Sequence, residues 1–189
     1  MPTWLIVLLI VLGVILLIAI IIAGMYNALV RLNTRVDEAW SDITVQLKRR
    51  ADMIPQLVST IKGYAKHETE AIKQVSEARA KMMGARSVAS TAEADRSMLG
   101  ALSRIMAISE SYPDLKADKN FQQLQNAIED TENKVQASRR FYNAGVKDLN
   151  TRIDVFPYNV LFHKFKKREF YEVDAKEYDR IEKAPNIEF

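Results

Sequence analysis

The chain has 189 residues, of which 48% are apolar and 27% are charged, and its formal net charge is +3. It contains no Cys and only two His, which excludes a disulfide framework, a zinc ribbon and a thiolate nucleophile and leaves little capacity for metal binding. Its six Gly are never closer together than 11 residues, so the sequence has neither a G-x-G-x-x-G nucleotide motif nor a Walker loop.

The first predicted element is a membrane anchor, the window from Trp4 to Ala23, whose 20 residues include no charge. A helix of this length spans about 30 Å, the thickness of a hydrocarbon core. Trp4 and Tyr26 stand at its two ends, where amphipathic rings favour the interface. No Lys or Arg precedes the apolar run and no good small-x-small site follows it, which favours a retained anchor over a cleaved signal peptide. We predict a short N-terminal tail over 1–3 and a transmembrane helix over 4–24.

The basic residues after the anchor set its predicted orientation. Arg31, Arg35 and the run Lys48-Arg49-Arg50 all follow it, whereas only three residues precede it. Lys and Arg in short flanking segments are retained in the cytoplasm. All 51 charged residues follow residue 30, so about 31% of residues 25–189 are charged, which is typical of one globular domain. The sequence therefore predicts an outside N-terminus and a cytoplasmic domain.

The first two soluble helices are predicted from an apolar stripe and a break. The stripe repeats every seven residues after the anchor: Leu29, Val36, Ile43. Nothing interrupts the helix between the anchor and about Arg50, so we expect a single rod up to that residue. Asp52 is then predicted to cap a second helix that reaches about Gly84, with Pro55 in its first turn, where proline is tolerated.

Two further helices follow. Ser90-Thr91-Ala92-Glu93 has the form of a capping box and predicts the start of the third helix, which should end near Tyr112 because Pro113 disfavours helical geometry in its predecessor. Asp118 is predicted to cap the fourth helix. That helix carries an apolar heptad row, typical of coiled-coil packing: Phe121, Ile128, Val135, Tyr142, Leu149. A companion row of small or weakly polar residues permits close approach of a neighbouring helix: Leu124, Thr131, Ser138, Gly145.

Four helices joined by short connections predict an all-α fold, an antiparallel up-and-down four-helix bundle over residues 25–155. An aromatic and basic segment and a C-terminal tail follow over 156–189. In such a bundle the connections at 50–54 and 112–118 lie at the end away from the membrane, and the end of the fourth helix near residue 154 returns to the lipid surface.

A short internal similarity relates the start of the first soluble helix to the end of the fourth. Both segments begin with Tyr-Asn-Ala, at Tyr26-Asn27 and at Tyr142-Asn143. Two copies do not define a repeat architecture, so cross-pairing of the two segments and coincidence both remain open. We assign structural roles to these residues and to the stripe and turn residues Trp40, Asp52, Pro55 and Pro113.

The end of the predicted bundle away from the membrane carries a polar cluster that we interpret as a site for a protein partner: Gln46, Lys48, Arg49, Arg50, Asp114, Lys116. The alternative is a surface of helix caps and ion pairs that contribute little to stability.

The stretch 156–168 mixes five aromatic residues, counting His163, with four cations. Beside the lipid surface it would insert rings at the interface and place cations among anionic headgroups. The residues predicted to do so are Phe162, Lys164, Phe165, Lys166, Lys167 and Arg168. The alternative is that the aromatic rings cap the bundle and the cations are solvated. Nucleic acid is not an expected partner, because four cations do not make a recognisable binding module.

Catalysis has little support in the sequence. His67 and Glu70 are three residues apart on a predicted helix and could share a metal, which leaves a metal-dependent hydrolase as a minor alternative. A di-iron bundle, however, needs Glu-x-x-His motifs, and none occurs. Glu129 and Glu132 are interpreted as solvated helix surface. We therefore predict no catalytic residue, no cofactor, no metal and no small-molecule substrate.

Many segments, in order along nearly the whole chain, match the signature of a known family. In the first half they are Tyr26-Asn27-Ala28-Leu29-Val30, Val36-Asp37-Glu38-Ala39-Trp40-Ser41-Asp42-Ile43, Val45-Gln46-Leu47-Lys48-Arg49-Arg50, Ile54-Pro55, Leu57-Val58, Lys62-Gly63-Tyr64 and Ala78-Arg79. In the second half they are Tyr112-Pro113-Asp114-Leu115-Lys116, Asn120-Phe121, Leu124, Thr131-Glu132-Asn133-Lys134, Arg139-Arg140, Tyr142-Asn143 and Asn150-Thr151. With these segments the chain resembles the LemA family; the tail after Phe170 resembles it least.

The resemblance implies a single-pass protein of the bacterial inner membrane, with a bromodomain-like four-helix bundle, an extended C-terminal tail and no established enzyme activity. Relatives are associated with membrane proteostasis, alongside HtpX-type membrane proteases, and one branch with magnetosome membranes. The expected function is a non-enzymatic, membrane-anchored scaffold or protein-interaction module. The alternatives are an adaptor or regulator of a membrane protease, a membrane-organising protein that binds anionic lipid, and self-association.

Overall fold

A computed structural model describes residues 2–171, and this part of the chain is helical with no β-strand. Residues 172–189, which make up most of the predicted C-terminal tail, lie outside the described residues. The helices are α1 (Thr3–Tyr64), α2 (Thr69–Gly84), α3 (Val88–Ser109), α4 (Pro113–Ala117), α5 (Lys119–Asp154) and α6 (Tyr158–Leu161). The prediction of an all-α chain is confirmed for the described residues.

The described chain forms two compact units. The first contains residues 2–39 and 144–168, and the second contains residues 40–143 and 169–171. Helices α1 and α5 each contribute residues to both units. In the first unit the buried apolar residues are Leu29, Val36, Ala39, Val146 and Leu149. In the second unit α2 packs against α3, and the fully buried residues include Ile43, Ile54, Leu57, Ile61, Val75, Met98, Ile105, Leu115 and Phe121.

Helix α1 is 62 residues long, and its N-terminal part is long and apolar enough to cross a membrane. None of the side chains in this apolar window is buried inside the protein. In water that surface would be costly, at about 25 cal/mol per Å² of apolar area, whereas lipid chains remove the cost. The predicted helix over 4–24 is thus present, with the length and composition that a membrane span requires.

The predicted break at residues 50–54 is wrong, because α1 continues through Pro55 to Tyr64. A proline in a helix lacks the N–H that would donate to the carbonyl four residues earlier, here that of Ala51. Arg79 of α2 donates from Nε to this carbonyl oxygen at 2.9 Å, so the acceptor is satisfied. Asp52 is therefore an exposed residue inside α1 and caps no helix. The predicted second helix is divided between the end of α1 and a separate α2, which does end at Gly84.

The N-cap of α3 lies three residues before the predicted capping residue, Ser90. Ser87 is the N-cap, and its hydroxyl accepts a hydrogen bond from the backbone N–H of Ser90 at 3.1 Å. The hydroxyl of Ser90 in turn accepts from the N–H of Ser87 at 3.0 Å. Ser90 thus takes the place that Glu or Gln has in the usual capping box. At the other end α3 stops at Ser109, and Pro113 occupies the first turn of α4.

The start and end of α5 agree with the prediction. Asp118 caps the helix by accepting a hydrogen bond at Oδ1 from the N–H of Phe121 at 2.9 Å, and α5 ends at Asp154. Its heptad row of large apolar residues is buried: Phe121, Ile128, Val135, Tyr142, Leu149. Gly145, in the small-residue row, lies so close to α1 that an added Cβ would be 3.3 Å from Cγ2 of Val36. A neighbouring helix does approach closely at this glycine, as the small row predicts.

Candidate functional site

A cluster of buried charged side chains lies inside the second unit and is centred on Arg50, which is almost completely buried. Its Nη1 donates to Oδ1 of Asp95 at 2.7 Å, its Nη2 donates to the carboxylate of Glu132, and its Nε donates to Oγ1 of Thr131 at 3.5 Å. The guanidinium is thus committed to three side chains from α3 and α5. The expectation that Arg50 contacts a partner is wrong, because α1 continues past this residue and its side chain is buried.

The second oxygen of Asp95 has partners of its own. Oδ2 accepts a hydrogen bond from the hydroxyl of Tyr171 at 3.0 Å and lies 3.8 Å from Nη1 of Arg139. The guanidinium of Arg139 also sits over the Tyr171 ring, 5.0 Å from its centroid. With Arg50 and Glu132, the cluster contains two cations and two carboxylates, so its formal charges balance.

Burial is the largest influence on the pKa values of Asp95 and Tyr171. It raises the pKa of the Asp95 carboxyl above its usual range, against the opposing effects of the Arg50 charge and the Tyr171 hydrogen bond. The pKa of Tyr171 is raised as well, first by burial and then by the charge of Asp95. The phenol therefore stays protonated and continues to donate to Asp95 in mildly alkaline solution.

The non-helical segment 169–171 is held in the second unit by side chains to which the sequence assigned structural roles. Asn143 uses both atoms of its amide on Tyr171: Oδ1 accepts from the backbone N–H at 2.8 Å, and Nδ2 donates to the backbone carbonyl at 3.0 Å. The hydroxyl of Tyr142 donates to the carbonyl oxygen of Glu169 at 2.9 Å. The ring of Trp40 packs 5.6 Å from that of Tyr142 and 6.2 Å from that of Tyr171, between ring centroids. Together these contacts seat the Tyr171 side chain in the charge cluster.

In the first unit the aromatic segment lies against the end of the anchor. The ring of Tyr26 is 5.9 Å from that of Phe162 and 5.8 Å from that of Phe165, so both phenylalanines predicted to face lipid pack partly on the protein. Three neighbouring side chains that the predicted set omitted are much more exposed. Phe156, Val160 and Leu161 are 79%, 58% and 45% exposed.

Arg168, one of the four predicted lipid-facing cations, is engaged within the first unit. Its Nη2 donates to Oδ1 of Asp37 at 2.7 Å and to Oδ1 of Asn33 at 3.0 Å. Its backbone is held by Asn150, which accepts from the N–H and donates to the carbonyl, both at 2.9 Å. Asn150 thus holds Arg168 in the first unit as Asn143, seven residues earlier in α5, holds Tyr171 in the second.

The three lysines of this segment differ in their partners. Lys167 forms an ion pair with Asp154 at 2.8 Å. Lys164 and Lys166 are exposed, and neither forms an ion pair with any residue in the range 2–171. The predicted cluster of four cations therefore has two members with a carboxylate partner and two without one in the described chain.

The predicted partner site is divided between two places in the second unit. The connection 112–118 lies at the end of α1, where Tyr64 donates to Asp118 and Tyr112 donates to Glu68, both at 2.9 Å. Tyr64 is about 21 Å along the helix from Arg50, at 1.5 Å per residue. The exposed residues of this set are consequently in two groups, Lys48 with Arg49, and Asp114 with Lys116. Gln46 is half-buried, and its Oε1 is buried with no hydrogen-bond partner within residues 2–171.

The residues considered for catalysis are His67, Glu70, Glu129 and Glu132. His67 is in the turn between α1 and α2, and not on one helix with Glu70 as predicted, and both residues are exposed. Within residues 2–171 no group of three or more His, Asp and Glu is arranged to hold a metal ion. Glu129 is exposed as expected, but the expectation of a solvated Glu132 is wrong, since its side chain is 20% exposed and pairs with Arg50.

Sequence reasoning missed Asp95 and Tyr171. A signal for Asp95 was available, because it lies seven positions before the apolar residue Leu102 and therefore on the same, buried face of α3. Tyr171 lies outside any helix, and no periodicity identified it as a core residue.

The described chain is an all-helical protein with a candidate membrane-spanning helix and a buried, charge-balanced cluster. The model of the LemA family matches residues 39–189. The chain belongs to the LemA family, as the sequence resemblance predicted. It is 26% identical to the protein LemA of Metamycoplasma hominis over 161 residues, which cover 84% of this chain and 73% of that protein. It is also 28% identical over 81 residues to the magnetosome proteins MamQ 1 and MamQ 2 of Paramagnetospirillum magneticum, covering 42% of this chain and 30% of each of theirs.

Proposed function

We propose that this protein is a non-enzymatic scaffold or protein-interaction module that residues 4–24 hold in a bacterial inner membrane. The observation that carries the proposal is the continuity of α1, in which an uncharged window with no buried side chain belongs to the same helix as the buried Arg50. A helix satisfies its own backbone hydrogen bonds and can therefore cross lipid. The basic residues that follow the window favour an outside N-terminus and a cytoplasmic soluble domain.

We infer that α2, α3 and the parts of α1 and α5 in the second unit form the four-helix bundle of the family. Each of these four elements contributes residues to the buried core. Within residues 2–171 the buried charged residues of that core, Arg50 and Asp95, form an ion pair with each other. This arrangement favours a bundle that acts through its surface, by binding a protein partner.

We infer that a cleft of about 300 Å³ on the second unit binds the protein partner. Lys48 and Arg86 provide positive charge at this cleft, the exposed Met83 provides a flexible apolar side chain, and the largely buried Met82 also lines it. Methionine side chains adapt to differently shaped partners. The surface fits a protein segment that carries both apolar and acidic side chains.

A photo-crosslinking residue at Lys48, in the full-length protein in its native membranes, tests this proposal. We expect it to capture a defined protein, which mass spectrometry identifies, while the same residue at the exposed Glu129 does not. Capture of another copy of this chain would identify self-association as the interaction. Equal capture patterns from the two sites, or adducts with lipid alone, would refute the proposed surface.

A further inference from the structure

An apolar groove lies beside the C-terminal half of the anchor in the first unit. Its volume is about 350 Å³, and all of its lining residues are apolar. Ile18, Ile22 and Met25 form one wall, and Phe156 and Val160 belong to the other. A peptide would leave backbone N–H and C=O groups unsatisfied against such walls, whereas a hydrocarbon chain has no such groups.

A basic pocket of about 560 Å³ lies beside the part of α1 that follows the anchor. Tyr26 and Thr34 line it from α1, and all four cations of the segment 164–168 line it from the other side. No Asp or Glu is among its lining residues. Because Lys167 and Arg168 pair with carboxylates, Lys164 and Lys166 are the two cations of this pocket that have no ion-pair partner within residues 2–171.

The heights of the groove and the pocket match the layers of a bilayer. If the midpoint of Trp4 to Ala23 lies at the bilayer centre, Ile18 and Met25 stand about 7 and 17 Å from it along the helix axis. The hydrocarbon of one leaflet extends to about 15 Å from the centre and the headgroups to about 20–22 Å. Most of the groove is therefore level with acyl chains, and the pocket begins among the headgroups at Tyr26, about 19 Å from the centre, and extends to Thr34, about 31 Å from it.

We propose that the first unit binds one anionic phospholipid, with an acyl chain in the apolar groove and the phosphate between Lys164 and Lys166. A further cavity connects the two places, since it shares Ile22 with the groove and Tyr26 with the basic pocket. This inference rests on the proposed insertion of the anchor. The chemistry that recognises the ligand is the combination of a hydrocarbon chain with a negative headgroup, and the site is a feature of the first unit, separate from the protein-binding cleft of the second.

Native mass spectrometry of the full-length protein in detergent tests the site directly. Phosphatidylglycerol and phosphatidylcholine with identical acyl chains are compared, and we expect one bound phosphatidylglycerol at lipid concentrations where phosphatidylcholine binds weakly. Changing Lys164→Gln together with Lys166→Gln should weaken phosphatidylglycerol binding about thirtyfold, since each cation near an anionic headgroup contributes about 1 kcal/mol and 1.4 kcal/mol is tenfold.

A matched control removes the same charge elsewhere in the first unit. Arg35 and Lys147 are exposed and do not line the pocket, so Arg35→Gln with Lys147→Gln should leave phosphatidylglycerol binding unchanged. Val160→Trp should fill the groove and reduce the binding of both lipids, with circular dichroism confirming unchanged helicity. Excess inorganic phosphate should not displace the lipid.

Equal binding of the two lipids, equal weakening by both charge pairs, or displacement by inorganic phosphate would overturn the proposed site. Alkaline extraction of native membranes separates this failure from failure of the anchor. Protein that stays in the membrane but shows no preference for phosphatidylglycerol refutes the lipid site alone, whereas protein that is extracted refutes the membrane insertion on which both proposals rest.

Discussion

Removing Arg50 should destabilise the second unit far more than removing an exposed cation. The side chains of Arg50 and Asp95 are only 1% and 2% exposed, so their pair belongs to the buried class. Loss of one partner leaves a buried charge without compensation and costs about 3–5 kcal/mol. Arg50→Met keeps an apolar stem of similar length but leaves Asp95 with the Tyr171 hydroxyl and the more distant Arg139. A loss of this size is a large share of a typical stability of about 5–15 kcal/mol.

Urea unfolding of the full-length protein in detergent micelles measures this loss. Trp40 packs on Tyr171 and reports on the cluster by fluorescence once the other tryptophan is changed by Trp4→Phe. The matched control is Lys116→Met, which removes a cation from a pair with Glu110 that is more than half exposed and should change the unfolding free energy little. In the double variant Arg50→Met with Asp95→Asn, we expect a loss smaller than the sum of the single losses by about 0.5–3 kcal/mol. Additive losses, or equal losses from Arg50→Met and Lys116→Met, would refute the argument that the two buried side chains act as a pair.

Three further predictions follow from individual contacts. Tyr171→Phe should cost about 1.5–3 kcal/mol, the value of a hydrogen bond to a charged group. Because the pKa of Tyr171 is raised in the folded protein, the stabilisation that Tyr171 provides is complete below the ordinary tyrosine pKa of 10.0 and decreases as the pH rises further. The wild type should therefore lose stability with rising pH in urea titrations at alkaline pH. The Phe variant should lack this additional dependence on pH. Arg79→Met should cost about 1–3 kcal/mol by leaving a buried carbonyl of α1 unsatisfied, and adding Pro55→Ala, which restores the missing N–H, should recover most of the loss in thermal unfolding. A single cysteine introduced by Lys119→Cys should resist a membrane-impermeant thiol reagent in intact cells and react after lysis, whereas labelling in intact cells would reverse the proposed orientation.

Features that depend on neighbouring residues in the chain were predictable. The anchor needed only an uncharged run of sufficient length, and α5 needed only a cap at Asp118 and a heptad row. The close approach at Gly145 followed from the same repeat, because residues seven apart stay on one face of a helix. In these places local hydrogen bonding and hydrophobic periodicity determine the structure, and both can be read from consecutive residues.

Features that depend on a distant partner were not predictable. Pro55 predicts the start of a helix unless something replaces its hydrogen bond, and the replacement comes from Arg79, 28 positions from the carbonyl that it satisfies. The sequence likewise predicts that Arg50 is a surface residue, because it belongs to a basic run. It is buried only because carboxylates 45 and 82 positions away in the chain pair with it. The wrong prediction of a helix end near Pro55 also explains the wrong prediction of an exposed Arg50. If the helix had ended at residue 50, Arg50 would have been exposed to solvent.

The sequence by itself determined the family, the helical class, the apolar anchor and the types of side chain available to each surface, because composition and periodicity are properties of the chain. The tertiary structure decided which of those side chains remain available. It pairs Arg168 with Asp37 and Lys167 with Asp154, and leaves Lys164 and Lys166 exposed beside the anchor. The physical reason is that a cation attracts an anionic partner only if no carboxylate within a few ångströms already neutralises it. Packing, and not order along the chain, determines which carboxylates lie that close.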